Sequence, residues 1–575
     1  MRRDLSALGT NHFDVLVIGG GICGAAAAWD ATQRGLSVAL LERGDFGGAT
    51  SANSLKVVHG GIRYLQHVDI ARVRESSRER SALLRIAPHL VKPMPVVVPT
   101  FGHGMQGPEA LGAAFLLLNL LTCGRNRGLG AAHARTPRAR LIRRSEVQTY
   151  CPGLESGNLT GGGIFWDGQL QNPPRLVWEF IRTARHGGAV VANYCEVRDL
   201  LRAGDRVIGV MARDNLSGAT IEVRARVVIN AAGPFAEQLH VRAGLQQHRR
   251  IPLSRDLALV VARRLPHSVA LALPTRYRDP DALLSRGPRH LFLVPWRDVT
   301  LAGVHSAIYQ GDPDALSVTE EELELFLGEV NAAAPWLTLG LNDVAMVYAG
   351  LLPAGANDFV RGNMSFGKRS HVTDNARTDG VEGLVTAMAN RFTTARGVAE
   401  RSVDLAGKKL RRSLPPCRTA VTPLLGAPGL SEAELIQSVT RQSQVPIPSG
   451  AAEQLARNHG STWGQVLRLA QDAPGLAGSV DGSRWTLGTA VVYAARHEMA
   501  ETLADCVFRR TDIATAGNPG EATLRACADL LAIELGWSSL RKQHELEGVV
   551  ERLRVPSRQT AAGTFSAGGM GGASH

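Results

Sequence analysis

Apolar and polar positions change period along this chain, and each change marks an element. Val15 to Ile18 is a short β-branched run, long enough for a buried parallel strand. Ala25 to Arg34 is rich in helix formers and is released by Gly35, and a second apolar run then closes on Glu42. Strand, helix and strand in this order predict a βαβ unit. Gly187 to Val197 reads as another strand of the same sheet, and the run Val227 to Asn230 ends in Ala231, Ala232 and Gly233, small residues that let backbone lie against a ligand. Between about Arg250 and Val347 the pattern becomes that of strands such as "HLFLVPWR" and "VTLAGVHS", which predict an antiparallel sheet covering a site. From Leu424 helical periodicity dominates, in "SEAELIQSVTRQ", "AAEQLARNHG", "TLGTAVVYAARHEMAETLADCVF" and "EATLRACADLLAIELGW", behind a linker at Arg418 to Ser431.

Chemistry enters first at the turn of the βαβ unit. Gly19, Gly21 and Gly24 stand where a dinucleotide fold needs a tight turn, close approach to a pyrophosphate, and close helix–strand packing. Free N–H groups at the helix N-terminus then favour the phosphates. Glu42, at the end of the second strand, has the spacing of an acid that accepts hydrogen bonds from an adenosine ribose. The bare glycine pattern is a weak signal, and strand, helix and terminal acid in register make it a dinucleotide site.

Composition adds limits. The 575 residues suffice for two or three domains, and 44% hydrophobic with 20% charged residues is ordinary for a globular protein. The net charge of +12 comes largely from dispersed arginine, as in Arg72 to Arg85, where acids intermix and no aromatics interleave. That reads as a solvated face and not as a nucleic-acid patch, although a basic surface helps a peripheral enzyme reach anionic lipid. The seven cysteines are scattered and form no CxxC, which points to a reducing, cytoplasmic setting without disulfide framework or zinc. "HEMAE" at His497 to Glu501 lacks the second histidine of a zinc-protease helix, so no metal is expected. The opening "MRRDLSALGTNHF" has no apolar signal core. Ala110 to Cys123 is too short to span a bilayer and reads by default as a core helix, with membrane contact the other reading. The last residues, 556–575, are small, polar and glycine-rich, a composition that predicts disorder.

"ERGDFGGATSANSLKVVHGGIRYLQ", Glu42 to Gln66, resembles the flavin-linked glycerol-3-phosphate dehydrogenase family, with its Thr-Ser loop and HGG-x-RYL element. "APHLVKPMPVVVPT" from Ala87, "GDP" at Gly311, "TTARGVAE" from Thr393 and "YAARHEMAETLADCVFRRT" from Tyr493 extend the resemblance over nearly the whole chain. It implies an α/β, Rossmann-type FAD-binding domain with an antiparallel-sheet substrate domain, as in D-amino-acid oxidase, and an all-helical C-terminal domain. The oxidoreductase domain is expected over 13–410, its flavin part at about 13–90, 155–240 and 380–410 and its substrate part at about 91–154 and 241–379. The helical domain is expected over 424–555.

Carried over residue by residue, the resemblance gives Gly19, Gly21 and Gly24 to the pyrophosphate and Glu42, with its neighbour Arg43, to the ribose end. Thr50, Ser51 and Ser54 would line the flavin side of the first loop, Val197 the adenine end, and Gly233 the passage beside the cofactor. Asn390, Arg391, Phe392 and Thr393 would close over the ring. Arg63 and Tyr64 match the family's pair beside the reacting substrate, and Arg391 stands for a lysine beside the substrate phosphate. Two departures stand out. Leu352 occupies the arginine position of the family's G-V-R-P element, and "PLSRDLALVV", Pro252 to Val261, offers no histidine where the family has its catalytic one. Arg255 supplies positive charge there, and the base is left open among His305, His59 and a tyrosine.

The implied function is FAD-dependent oxidation of glycerol 3-phosphate or a related secondary alcohol to the ketone, with electrons passed to a quinone at the inner face of the cell membrane. The altered pocket keeps open a related flavoenzyme acting on another hydroxy or amino substrate, with oxygen as acceptor. A non-catalytic FAD-binding protein is a third reading. Partners are then the small-molecule substrate and an electron acceptor, with a homodimer left open.

Overall fold

The computed structural model describes residues 1–129, 134–154, 157–245, 251–278, 288–354, 370–448, 450–480 and 485–556, so the glycine-rich tail lies outside the described residues. Two large sheets meet across a cavity. The first is built on the β-branched run foreseen above, which extends over His12–Ile18. It lies between Val38–Leu41 and Thr220–Asn230 in parallel register, with Val190–Ala192 outside the former and Leu384–Met388 outside the latter. His371–Asp374 adds an antiparallel edge, and an antiparallel ribbon of Cys195–Ala203 and Arg206–Asp214 branches from the start of Thr220–Asn230. The parallel strands are apolar on both faces because helices cover them: Ile22–Gln33, Pro173–His186 and Ala395–Lys409 share one core with Val15, Val17, Val227 and Ile229.

The second sheet runs Val344–Pro353, Leu253–Val261, Val299–Tyr309, Pro288–Trp296, Ala270–Arg278, Val91–Phe101, Leu159–Leu170, Val57–Val58. Its pairings are antiparallel except between Ala270–Arg278 and Val91–Phe101. Leu159–Leu170 is its longest strand, although the sequence assigned that stretch to the flavin part, and His371–Asp374 moves the other way. Both exchanges follow from pairing, which a run of alternating residues does not reveal. Helix Glu320–Ala333, capped by Thr319 and Glu322, packs Leu323, Phe326 and Val330 against the outer side of the sheet.

The C-terminal part is helical as expected, but not continuous through Thr486 to Phe508. Helix Gly488–His497 stops, and a separate π-helical turn forms at Asp505–Arg510. Helix Ser539–Leu553 completes the domain. Arg418 to Ser431 is non-helical but docked: Leu424 is buried and the Gly426 N–H donates to Glu179 Oε2 at 3.1 Å. The segment read by default as a core helix is a surface helix, Pro108–Leu121. It buries Phe115 and Leu118 but leaves Leu116 and Leu120 74% and 70% exposed.

Candidate active site

A cavity of about 1430 Å³ lies between the sheets. That exceeds the roughly 300–1,000 Å³ of ordinary small-molecule sites and suits a dinucleotide together with a substrate. One end is the glycine turn. Gly19 has φ +99°, and a Cβ there would meet the Ala231 carbonyl at 2.7 Å, so only glycine permits the turn. Gly24 does not line the cavity; a Cβ on it would lie 1.9 Å from the Gly19 carbonyl, which makes it the helix–strand packing position. Gly21 precedes the helix Ile22–Gln33, whose first N–H donates to Ser51 Oγ at 3.0 Å.

Glu42 is half-buried in the cavity wall, where desolvation raises its pKa, while N–H groups of Gly44 and Gly20 donate to its two oxygens at 2.9 and 2.6 Å. A carboxylate oxygen accepts more than one hydrogen bond, so Glu42 keeps capacity for ribose hydroxyls. Val197, Gly233 and Arg43 surround this end, and Arg43 is held by Asp314 at 2.6 Å with its guanidinium 3.7 Å above the Phe235 ring. A helix N-terminus at the cavity wall, an acid at the strand end and a glycine-only turn fit the pyrophosphate and ribose of FAD.

Further along, Thr50, Ser51 and Ser54 line one wall and Asn390, Arg391, Phe392 and Thr393 another. The Thr50 hydroxyl donates to the Leu351 carbonyl at 2.9 Å, tying the first loop to the substrate sheet. Thr393 Oγ1 accepts the His59 N–H at 3.1 Å, so the two flavin loops are fastened to each other. His59 turns its ring into the cavity with Nδ1 3.0 Å from buried Asp167 and its edge toward Phe292. The helical domain also reaches the cavity, through Arg509, which is ion-paired with Asp45 and Asp505.

Arg63, Tyr64, Arg391, Leu352 and His305 also line the cavity. Tyr64 carries two cations on its ring, Arg72 at 4.6 Å and Arg391 at 4.9 Å, and Arg391 donates to Ser76 Oγ at 2.9 Å. His305 is paired with Glu329 at 3.2 Å and stacked on Phe326. Arg255 is the exception among the sequence candidates. It does not line the cavity; it pairs with Glu322 and donates to the Ser317 carbonyl at 2.7 Å on the helix-covered side of the sheet. The pleat explains the correction, since Ser254 and Asp256, one residue to either side, face the cavity instead. Asp256 and Asp167 escaped sequence reasoning; only the alternation of Ser254, Asp256 and Ala258 could have pointed to the former.

A parallel nucleotide-type sheet joined to an antiparallel sheet across a cavity of this size defines a flavoenzyme of the two-domain oxidoreductase class. The comparisons agree. The FAD dependent oxidoreductase model matches residues 14–405, and that of the C-terminal domain of alpha-glycerophosphate oxidase matches 417–542. A glycerol-3-phosphate dehydrogenase of Synechocystis sp. is 31% identical over 94% of this chain and 98% of its own. A mitochondrial glycerol-3-phosphate dehydrogenase of Mesocricetus auratus is 31% identical over 94% of this chain and 73% of its own. The fold matches the structure of the glycerol-3-phosphate dehydrogenase from Bacillus halodurans complexed with FAD, with TM-score 0.71, 24% identity and 96% coverage of both chains. The chain belongs to the FAD-dependent glycerol-3-phosphate dehydrogenase family, and it is an FAD-dependent oxidoreductase.

Proposed function

We propose that this protein oxidises the secondary hydroxyl of glycerol 3-phosphate, or of a close relative, to a ketone, and that its electrons leave to a quinone at a membrane surface. The observation that carries this reading is Arg72 and Arg391 set on the ring of Tyr64, with Arg63 lining the same cavity as the glycine turn. Several guanidinium groups converging on one aromatic are suited to an anionic substrate end, and Arg63 would pair with it by charge-assisted hydrogen bonds. When bound, FAD supplies the hydride acceptor. Glu42 would orient the ribose, Ser51 and the helix N–H groups the pyrophosphate, and the loops at Thr50 and Asn390 would hold the ring against the substrate sheet. A basic side chain must take the hydroxyl proton as hydride departs, while the arginines steady negative charge developing on oxygen.

A second reading, a different hydroxy or amino substrate with oxygen as acceptor, is favoured by Leu352, an apolar side chain lining the cavity directly across from Ser254. For the membrane, support comes from the exposed leucines of helix Pro108–Leu121 and from its neighbour strand, whose Leu141 would touch a Cβ at Gly112 and which leads into exposed Arg143 and Arg144. Among the described residues no helix is long and apolar enough to cross a membrane, so contact would be by insertion at one face. Anaerobic bleaching of the flavin by glycerol 3-phosphate, glycerol and small amino alcohols tests the substrate; absence of bleaching by any secondary alcohol would overturn the reading.

A further inference from the structure

Asp256 is an acid with no counterpart in the reading above. It lies on the strand Leu253–Val261, directly across from Ser306 on one neighbour and Gly350 on the other. Gly350 packs on the first flavin loop, where a Cβ would meet Thr50 Cγ2 at 3.1 Å, so Asp256 sits one strand away from that loop. It faces the cavity one pleat from Ser254, and Ser254 stands opposite Leu352. The groups facing it are the Ser306 and Ser254 hydroxyls, His305 on the adjacent strand and Arg289 on the strand Pro288–Trp296; Gly350 brings no charge. Both serine hydroxyls favour the charged carboxylate, and Oδ1 is buried with no hydrogen-bond partner among the described residues.

Resting on the reading that the substrate is an alcohol, we propose that the Asp256 carboxylate is the proton acceptor of the reaction. The substrate O–H bond breaks toward a carboxylate oxygen while the electron pair of the adjacent C–H bond leaves as hydride to oxidised FAD. The carbon–oxygen bond becomes C=O, and the proton later leaves Asp256 for solvent. The carboxylate oxygen turned to the cavity accepts the substrate hydroxyl, while the other stays within the wall. Rotation about the broad terminal torsion of aspartate exchanges the two oxygens, so either can present itself to the substrate. Burial, opposed by the serines, His305 and Arg289, pushes the Asp256 carboxyl up to about 6, which matches it to proton transfer near neutrality. His59 and His305 compete less well. The ring of the former is partly open to solvent, and the latter pairs across the sheet with Leu257, one residue out of phase with Asp256, and packs on Phe326 of the helix that covers the outer side.

The test follows flavin reduction anaerobically in the FAD-loaded protein, with glycerol 3-phosphate or whichever panel alcohol bleaches wild type fastest. Asp256→Asn should slow reduction by about a hundredfold or more and abolish an acid limb centred near pH 6, with the apparent affinity changing little. Asp256→Glu should retain the limb at a reduced rate, and His59→Gln should leave the limb in place. Time-resolved infrared difference spectra of wild type, taken as the alcohol reduces the flavin and before the proton leaves, should show a transient protonated-carboxyl band, a signature that needs no variant to fold. A limb unchanged in Asp256→Asn, its loss in His59→Gln, or reduction without the carboxyl band would each overturn the assignment. A wild type that no alcohol reduces would instead remove the functional reading on which it rests.

Discussion

Asp45 and Arg510 meet in a two-pronged ion pair, with Nη2 to Oδ1 at 2.7 Å and Nη1 to Oδ2 at 2.8 Å. The aspartate belongs to the loop that follows Glu42 and lines the cofactor cavity, whereas the arginine closes the π-helical turn of the C-terminal domain. Arg509, the adjacent residue, pairs with the same carboxylate, and Arg175 makes a similar two-pronged contact with Glu498 at 2.6 Å. The helical domain is thus bolted to the flavin domain at buried charges.

Removing one partner of such a pair strands the others in low dielectric, so Asp45→Asn should destabilise the protein by about 3–5 kcal/mol. Burial raises the Asp45 carboxyl, but Arg510 and Arg509 outweigh it and hold the pKa at about 2, against an ordinary 3.8. Glu498 is likewise held at about 2, burial being outweighed by Arg175. With folded values depressed, their stabilisation is complete above the unfolded pKa and drains away as pH falls toward 2. Denaturant midpoints from pH 6 downward should fall in that window. In Asp45→Asn the fall should be shallower and protease should release the helical domain earlier; an unchanged midpoint at pH 7 would contradict the coupling.

Gly24 is the sharpest constraint on the cofactor site. A Cβ there overlaps the Gly19 carbonyl, and backbone has no flexible end to move aside. Gly24→Ala should therefore spread the helix from the strand, costing about 1–3 kcal/mol and misaligning the N–H groups that would meet the pyrophosphate. Purified variant protein is expected to be pale, with flavin absorbance per chain well below wild type. Gly233, with no atom within 4 Å of an added Cβ, should lose less despite its positive φ.

The fold and the cofactor half of the site could be read from residues because they rest on local patterns. Gly19, Gly21, Gly24 and Glu42 are fixed by the spacing of one βαβ unit. The substrate half depends on which face of a strand each residue presents, and in Pro252 to Val261 three consecutive polar residues, Ser254, Arg255 and Asp256, run into an unbroken apolar stretch, so alternation gives the pleat no phase. Sequence alone therefore does not show that Asp256 faces the cavity and Arg255 the opposite side. Helix Pro108–Leu121 failed for a related reason: apolar content reports what a helix could bury, not whether another element arrives to cover it. The break after His497 is tertiary in origin, since Glu498 turns inward to Arg175.

If helix Pro108–Leu121 meets lipid, its exposed leucines supply the affinity. Each buried leucine contributes about 1.5–3 kcal/mol, and surface arginines add attraction to anionic headgroups. Leu116→Glu combined with Leu120→Glu should cut flotation with anionic vesicles at least about tenfold while leaving flavin content intact. Wild-type binding should weaken with added salt. Equal flotation of the variant would place the membrane contact elsewhere.

Leu352 and Arg63 together decide how an anionic substrate is held. A phosphate monoester carries close to two negative charges at neutral pH and is best gripped by several cationic donors, ideally a guanidinium with two prongs. Leu352 offers none where it lines the cavity. Leu352→Arg would restore one charge-assisted hydrogen bond, worth roughly 1.5–3 kcal/mol, and should improve kcat/KM for glycerol 3-phosphate by about tenfold to a hundredfold. Use of an uncharged or aminated alcohol should not improve in parallel. Arg63→Ala should cripple turnover of whichever substrate wild type prefers, because Arg63 stands at the cavity end beside Tyr64, where the cations converge. Steady-state kinetics of both variants on the same alcohol panel provide the check. A wild type already efficient on glycerol 3-phosphate and indifferent to the Arg63 change would place the substrate in another part of the cavity.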